Sequence, residues 1–227
     1  MEAIILAGGF GTRLQSVVKD VPKPMADING KPFLEYILNM LSKQGVTDVV
    51  FSVGYKADII KKYFGHKYKN ININYSIEEI ALGTGGAIKK SLDMCKEKDV
   101  LVLNGDTYFD VSLNELFDKY KELDCSLILS LKVMHNSNRY GSVIVENNYI
   151  KSFTEKKYKE KSLINGGVYI INKNLFTNSI LNGTFSFESD FLEKNVNNLK
   201  FGFLISNGYF IDIGIPEDYE KAKLDLQ

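Results

Sequence analysis

The sequence predicts an α/β domain built around a mixed sheet. Short apolar runs rich in β-branched residues recur along the chain, and amphipathic stretches separate most of the early ones. The 227 residues, 44% of them hydrophobic, are enough for one large core and few for two. No linker, internal repeat or low-complexity tract divides the sequence. We therefore expect one domain over residues 1–227.

Hydrophobic periodicity predicts the individual elements. Strand-like runs occupy residues 3–6, 48–53, 71–75, 100–103, 126–133 and 168–171. Between the first two, residues 32–44 place Phe33, Ile37, Leu38 and Leu41 at helical spacing, and Gly45 follows as a helix stop. A helix between two strands predicts a crossover connection.

Beyond about residue 126 the pattern changes. Residues 143–145 and 150–153 resemble an antiparallel pair, and Asn147-Asn148 between them is a hairpin-type turn signal. Because the earlier strands favour parallel crossovers, this hairpin predicts that the sheet is mixed.

Composition excludes several classes of function. The 28 basic and 28 acidic side chains cancel, so no global field favours nucleic acid or an anionic membrane. The amino terminus lacks the pattern of a secretory signal, and no segment approaches the roughly 20 apolar residues of a membrane span, so a cytoplasmic location is expected. Two cysteines and two histidines are scattered, which argues against a zinc site or a disulfide framework.

A glycine-rich loop follows the first predicted strand. The chain continues as Ala7-Gly8-Gly9-Phe10-Gly11-Thr12-Arg13-Leu14, where three glycines let backbone N–H groups surround an anion. A dinucleotide fingerprint fits poorly, because Leu14 stands where its third glycine belongs and no acidic residue follows the strand at 48–53. A plain tight turn is the alternative. The candidate nucleotide contacts here are Leu6, Ala7, Gly8, Gly9, Gly11 and Thr12.

Lys23 is a second candidate for phosphate chemistry. It lies between Pro22 and Pro24, which fix φ and disfavour a helix, so the local chain is stiff and the lysine leaves it in a defined direction. A solvated surface lysine is the alternative.

These segments resemble a known family. Gly8-Gly9-Phe10-Gly11-Thr12-Arg13-Leu14 followed by Pro22-Lys23-Pro24 is similar to the signature of the sugar-1-phosphate nucleotidyltransferases. Further similar motifs, spread over essentially the whole chain, are Leu82-Gly83-Thr84-Gly85-Gly86, Asn104-Gly105-Asp106, Arg139-Tyr140-Gly141, Phe153-Thr154-Glu155-Lys156, Asn165-Gly166-Gly167 and Phe210-Ile211-Asp212-Ile213-Gly214. Residues 16–25, 29–36 and 211–219 resemble in particular the D-glycero-D-manno-heptose 1-phosphate guanylyltransferases.

The resemblance implies a Rossmann-like, three-layer nucleotidyltransferase fold with a mixed, mainly parallel central sheet. Its nucleotide-binding part is expected over about residues 1–125 and its sugar-phosphate-binding part over about 126–227. Mg²⁺ is the expected cofactor, held by Asp106 and Asp212. Asp106 closes a predicted strand, where ligands of α/β sheets bind, and hard carboxylate oxygens suit Mg²⁺.

The reaction implied joins two anions, so positioning and cations are expected to supply most of the catalysis. Arg13 would grip the β/γ-phosphates with its planar fork, and Lys23 would offset charge on the transferring group. On the sugar side, Asn165 offers both a donor and an acceptor, whereas Glu155 and Lys156 can both face a ligand only from a loop or bulge. The remaining candidate sugar contacts are Tyr140, Gly141 and Gly166.

Base preference is predicted from Glu78. Its carboxylate offers two acceptors, which match the N1–H and N2–H₂ donors of guanine and only half match uracil or thymine. A simply solvated Glu78 is the alternative. Gly83, Thr84 and Gly85 complete the predicted nucleotide contacts.

The sequence therefore predicts an enzyme that joins GTP to D-glycero-D-manno-heptose 1-phosphate and releases pyrophosphate. Two readings stay open beside it: a uridylyltransferase acting on an amino-sugar 1-phosphate, and a non-catalytic sensor of nucleotide-sugars. An NAD-dependent oxidoreductase is disfavoured by the missing glycine and acidic partner. Neither nucleic acid nor a membrane is an expected partner, and the sequence leaves a homo-oligomer open.

Overall fold

A ten-stranded mixed sheet lies at the centre of the molecule. The computed structural model describes residues 1–9, 14, 18, 20–177 and 179–226. Their strands are β1 (Glu2–Leu6), β2 (Asp27–Ile28), β3 (Lys31–Pro32), β4 (Asp48–Val53), β5 (Lys67–Tyr68), β6 (Ile71–Ile77), β7 (Asp99–Asn104), β8 (Thr107–Phe109), β9 (Leu127–Ser137), β10 (Ser142–Glu146), β11 (Tyr149–Thr154), β12 (Lys159–Asn172), β13 (Phe201–Ser206) and β14 (Phe210–Asp212). The helices are α1 (Phe33–Lys43), α2 (Ala57–Phe64), α3 (Gly83–Leu92), α4 (Leu113–Leu123), α5 (Glu193–Asn195) and α6 (Pro216–Asp225), with a 3₁₀ turn at Lys23–Met25 and a π-helix at Phe187–Leu192.

The strand order in the large sheet is β10-β11-β13-β9-β12-β7-β1-β4-β6-β5. Pairs β7–β1, β1–β4, β4–β6 and β13–β9 are parallel. The other five pairs of this described sheet are antiparallel. The predicted mixed sheet is confirmed, but "mainly parallel" is correct only for the part around β1. On the far side of β7, most of the strands are connected without crossover helices, and strands connected in that way pair antiparallel.

Local sequence signals explain two elements that were predicted from the sequence. Helix α1 occupies Phe33–Lys43, as expected from its apolar spacing, and six of its residues are buried. Strands β10 and β11 form the predicted hairpin. Its turn residues Asn147 and Asn148 both have positive φ, 49° and 69°, the type I′ conformation that asparagine tolerates and that matches the strand twist.

The sheet separates two hydrophobic cores. Along β1, Ala3 and Ile5 face one core and Ile4 faces the other, because successive strand side chains alternate. Helices α1, α2, α4 and α6 cover the first face, while α3 and the π-helix cover the second. Together these elements form three layers. Among the described residues, none of the helices has the length and apolar character needed to cross a membrane.

Candidate active site

The carboxyl ends of three parallel strands meet at one edge of the sheet, where ligands of α/β folds bind. Leu6 at the end of β1 is in register with Ser52 of β4 and with Asn104 of β7. A cavity of about 430 Å³ opens there, within the usual size range of small-molecule sites. It is lined by Leu6, Gly8, Gly9, Lys23, Pro24, Glu78, Ala81, Gly83, Thr84, Ala87, Asn104, Asp106 and Gly214.

Asp106 and Asp212 lie beside the same lysine. Strand β8, which begins directly after Asp106, pairs antiparallel with β14, so that Asp212 is opposite Thr107. Lys23 Nζ is 2.5 Å from Asp106 Oδ2 and 3.5 Å from Asp212 Oδ1. Two carboxylates separated by 106 positions in the chain, the difference between 212 and 106, thus converge at the cavity.

This cluster is electrostatically unusual. Burial raises the pKa of Asp212, the nearby Asp106 carboxylate raises it further, and Lys23 and Arg139 act in the opposite direction. Asp212 Oδ1 is buried and accepts no hydrogen bond, since Lys23 Nζ at 3.5 Å is an ion-pair partner only. A buried carboxylate oxygen without a hydrogen bond is costly and favours a bound cation.

The chemistry of these oxygens fits a hard divalent ion. Among the described residues there is no group of three or more histidine, cysteine, aspartate or glutamate side chains arranged to hold a metal. Two carboxylates are nevertheless the usual protein share of a Mg²⁺ site, whose other ligands are waters and substrate phosphates. Asp106 and Asp212 are therefore the residues that could hold the metal.

Local backbone geometry positions Lys23. Pro22 is extended, with φ −65° and ψ 149°, and a 3₁₀ turn follows immediately, in which Pro24 and Met25 are buried. Gly214 completes this arrangement: a Cβ atom there would lie 2.9 Å from Asp212 Oδ1 and 3.3 Å from Lys23 Nζ. A side chain at this position would therefore displace Asp212 or Lys23 from the arrangement seen here.

Glu78 lines the same cavity and is hydrogen-bonded to two other segments of the chain. Ser52 Oγ donates to Glu78 Oε1 and the backbone N–H of Leu82 donates to Oε2, each over 3.0 Å. A Cβ atom on Gly8 would lie only 2.8 Å from Oε1. Each carboxylate oxygen keeps one free lone pair. Glu78 is thus anchored at the cavity wall with acceptor capacity left for a ligand.

Two of the predicted nucleotide contacts, Ala7 and Gly85, make packing and backbone contacts with the rest of the protein. Ala7 is buried and its N–H donates to Ser52 O over 2.8 Å. Gly85 donates its N–H to Phe185 O, and a Cβ atom there would overlap the Phe185 ring. Neither residue lines the cavity, whereas Gly83 and Thr84 do.

The predicted sugar contacts form two groups outside the lining of this cavity. Tyr140 packs against Phe210 with ring centroids 6.0 Å apart, and burial, followed by the Asp212 charge, raises the pKa of Tyr140 to about 12. Tyr140 is therefore near the carboxylate cluster. Gly141 closely approaches Thr154 O. Glu155 and Lys156, the next two residues after Thr154, lie in an exposed loop, from which both side chains could face one ligand.

The second group lies at a bulge in β12. The register against β9 shifts between Asn165 and Tyr169. Gly166 packs against the Phe109 ring, and Gly167 approaches the side chain of Asn104. Because Asn104 lines the cavity, the bulge adjoins the nucleotide cavity through that residue. Bulges commonly redirect side chains beside active sites.

Gly11, Thr12 and Arg13 lie outside the described residues. Five cavity residues were not predicted as site residues: Pro24, Ala81, Ala87, Asn104 and Gly214. Asn104 and Gly214 belong to the motifs around Asp106 and Asp212, so their position in the sequence was a usable signal. The two alanines carry no chemical signal, because they contribute only small size.

A larger cavity, of about 820 Å³, lies at the opposite ends of the strands, near the start of β7. Asp99 in its wall pairs with Lys121, and Asp190 pairs with Lys194. Two of its carboxylates are thus each paired with a single exposed lysine, whereas Lys23 and Asp106 in the wall of the smaller cavity adjoin a second carboxylate, Asp212. We therefore assign the chemistry to the smaller one.

A glycine loop after β1, a rigidly held lysine and two converging acidic residues are the features of a phosphate-handling site. The chain matches the nucleotidyl transferase family model over residues 2–227 and belongs to that family.

Individual relatives are similar over the full length. D-glycero-alpha-D-manno-heptose 1-phosphate guanylyltransferase of Aneurinibacillus thermoaerophilus is 52% identical, covering 100% of this chain and 99% of the relative. The protein of that name from Campylobacter jejuni is 50% identical, covering 96% and 97%. The crystal structure of HddC from Yersinia pseudotuberculosis complexed with GMP-PN has a TM-score of 0.89 at 39% identity, covering 100% of this chain and 99% of that one.

Proposed function

We propose that the protein is a Mg²⁺-dependent guanylyltransferase that converts GTP and D-glycero-D-manno-heptose 1-phosphate to GDP-heptose and pyrophosphate. The observation that carries this proposal is the convergence of Lys23, Asp106 and Asp212 at the mouth of the 430 Å³ cavity. The full-length similarity to heptose 1-phosphate guanylyltransferases supports the choice of substrates. GTP and sugar phosphates are cytoplasmic metabolites, so a cytoplasmic location belongs to the same proposal.

The reaction forms one bond and breaks one. A phosphate oxygen of the sugar 1-phosphate bonds to the α-phosphorus of GTP, the bond from that phosphorus to the bridging oxygen breaks, and pyrophosphate leaves with the electron pair. A bound Mg²⁺ neutralises phosphate charge and helps to orient the two substrates. The protein's task is to hold the reacting groups in line within a site that lowers their repulsion.

We assign the residues of the cluster as follows. Asp106 and Asp212 would hold the divalent ion, whose charge would compensate the buried Asp212 oxygen. Lys23 would offset the charge that accumulates on the transferring phosphoryl group. Arg13 is assigned to the departing pyrophosphate, a role that suits a guanidinium. Tyr140, Gly141, Glu155, Lys156, Asn165 and Gly166 form the proposed sugar-phosphate side.

Pyrophosphate release measured with a matrix of substrates tests the proposal. We expect turnover with GTP and the heptose 1-phosphate in the presence of Mg²⁺, and much less with UTP, CTP or dTTP. A preference for UTP with an amino-sugar 1-phosphate would replace the proposal by the uridylyltransferase function. Binding of nucleotide-sugar without turnover of any pair would make the protein a sensor.

Glu78→Gln tests base recognition. If the Glu78 carboxylate accepts from guanine N1–H and N2–H₂, the variant lowers kcat/KM for GTP by about 10- to 100-fold, the effect of losing a hydrogen bond to a charged group. Inosine triphosphate, which lacks the 2-amino group, separates recognition from architecture. The parent is expected to favour GTP over inosine triphosphate, and Glu78→Gln to reduce that ratio.

The competing outcome follows from the anchoring contacts of Glu78. A glutamine cannot accept from both the Ser52 hydroxyl and the N–H of Leu82. If Glu78 has only this structural role, the substitution lowers kcat/KM equally for all nucleotides. A uniform loss with an unchanged GTP preference would therefore refute base recognition. Glu79→Gln, at the exposed neighbouring position, is the matched control and should leave all rates unchanged.

A further inference from the structure

Thr84, at the nucleotide cavity, is hydrogen-bonded to a carboxylate of the π-helix. Its Oγ1 donates to Glu188 Oε2 over 2.7 Å and accepts from the backbone N–H of Phe187 over 2.8 Å. Both partners belong to the same short segment, and Glu188 is 104 positions from Thr84 in the sequence. The rotamer of the Thr84 hydroxyl is therefore fixed by the π-helix.

A second arm leads from the β12 bulge towards the same carboxylate. Asn165 Nδ2 donates to the hydroxyl of Tyr169 over 2.7 Å, and Asn165 Oδ1 accepts from the N–H of Gly167 over 3.0 Å. The Tyr169 side chain is fully buried. Because its hydroxyl oxygen accepts from the amide, its own proton needs another acceptor.

The segment of the π-helix that contains Glu188 lies beside this phenol. The Tyr169 ring packs edge-on against Phe187, the residue before Glu188, with ring centroids 5.2 Å apart. Burial, followed by the charge of Glu188, raises the pKa of Tyr169 well above its ordinary value. Both arms thus reach the same segment of the π-helix: the Thr84 hydroxyl donates to Glu188, and the Tyr169 ring lies against the neighbouring Phe187. A carboxylate can serve both because it has only acceptor sites.

We propose that Glu188 is a positioning residue for both substrates, which fixes Thr84 at the nucleotide cavity and, through Tyr169, the orientation of Asn165 at the sugar side. The inference rests on the proposed function, since it takes these two places as the nucleotide and sugar sides. With the amide oriented in this way, Asn165 keeps one N–H and one oxygen lone pair. That pattern matches a sugar hydroxyl, which both accepts and donates.

A local role is the competing interpretation. Ser186 Oγ also donates to Glu188 Oε2, over 3.2 Å, and accepts from the N–H of Ser189 at the start of the π-helix. If Glu188 only stabilised this turn, its loss would lower thermal stability without a selective effect on substrate binding.

Glu188→Gln is the primary test, because it keeps the size of the side chain but presents a donor where an acceptor is needed. We expect the KM values for GTP and for D-glycero-D-manno-heptose 1-phosphate to rise by about 5- to 50-fold, with kcat changed by less than about 3-fold. Glu193→Gln, an exposed glutamate in α5, is the matched control and should behave like the parent. Unchanged KM values in Glu188→Gln would overturn the proposal.

A double-mutant cycle separates positioning from general damage. In a Thr84→Val background, Glu188→Gln should raise the KM for GTP by less than about 2-fold, and in a Tyr169→Phe background it should do likewise for the sugar phosphate. Full additivity in both cycles would refute the proposed connection. Melting temperatures identify any variant that loses stability.

Failure of the proposed function gives a different result. A parent protein that released no pyrophosphate from any substrate pair would refute the transfer reaction itself. Calorimetric titration with GTP then still tests Glu188, because it requires no turnover. If Glu188→Gln binds GTP more weakly than the parent and Glu193→Gln does not, the positioning of Thr84 by Glu188 is supported. Equal binding by the parent and Glu188→Gln would refute it.

Discussion

Asp106→Asn and Asp212→Asn are each expected to lower kcat for pyrophosphate release by about 10²- to 10³-fold, and to shift the required Mg²⁺ concentration upwards. The amide retains the shape of the side chain but removes a charge from a two-carboxylate cation site. Measurements of initial rates across a Mg²⁺ series at saturating substrates give both effects. Asp110→Asn, at an exposed position in the same segment, is the control and should retain parental rates.

Stability distinguishes this loss from unfolding. The folded-state pKa of Asp212 is raised by burial and by Asp106 above that of the unfolded chain, so near neutral pH the folded protein bears the unfavourable charge. This destabilisation develops as pH rises through the unfolded and then the folded pKa. Asp212→Asn removes it, so without metal its melting temperature at neutral pH should equal or exceed that of the parent. Parental activity, or loss of activity only through a lowered melting temperature, would contradict the assignment.

Lys23→Met is expected to have two opposite effects. It removes the cation proposed to act on the transferring phosphoryl group, so kcat should fall by about 10²- to 10³-fold. It also removes the ammonium 2.5 Å from Asp106 Oδ2 and 3.5 Å from Asp212 Oδ1. The two carboxylates then lose their nearest cation, so the nucleotide-free variant should bind Mn²⁺ more tightly than the parent does.

Electron paramagnetic resonance of free Mn²⁺ measures that binding without turnover. Lys31→Met, which removes an exposed lysine nearby in the chain, is the control and should change neither rate nor Mn²⁺ affinity. The assignment would be wrong if Lys23→Met lowered kcat while Mn²⁺ binding stayed as in the parent, because Lys23 would then not compete with a cation for the carboxylates.

Local sequence signals predicted the local elements well. The strand at β4, the helix α1 and the β10–β11 hairpin follow from periodicity and turn residues within one short segment. The proportion of parallel and antiparallel pairs in the sheet could not be predicted in this way, because the pairing of β9, β12 and β13 joins segments far apart in the chain. Such pairings depend on which surfaces can be buried together, and no window of sequence contains that information.

The candidate site divides in the same way. Glycine spacing and the proline-flanked Lys23 indicated phosphate chemistry, and the family motifs indicated Asp106 and Asp212. The sequence did not indicate that Gly85 packs against Phe185, that Glu78 is anchored by Ser52 and Leu82, or that Thr84 donates to Glu188.

The sequence by itself therefore determined the α/β class, and it predicted the phosphate loop and the chemical types of the reacting residues. Only the tertiary structure decided which of their charges compensate one another. The β8–β14 pairing places Asp212 beside Asp106, and Gly214 leaves room for Lys23 next to both. The physical reason is that residue type fixes charge and hydrogen-bonding capacity, whereas the partner that satisfies them is chosen by long-range packing. A buried carboxylate acquires its function from the groups that folding brings to it.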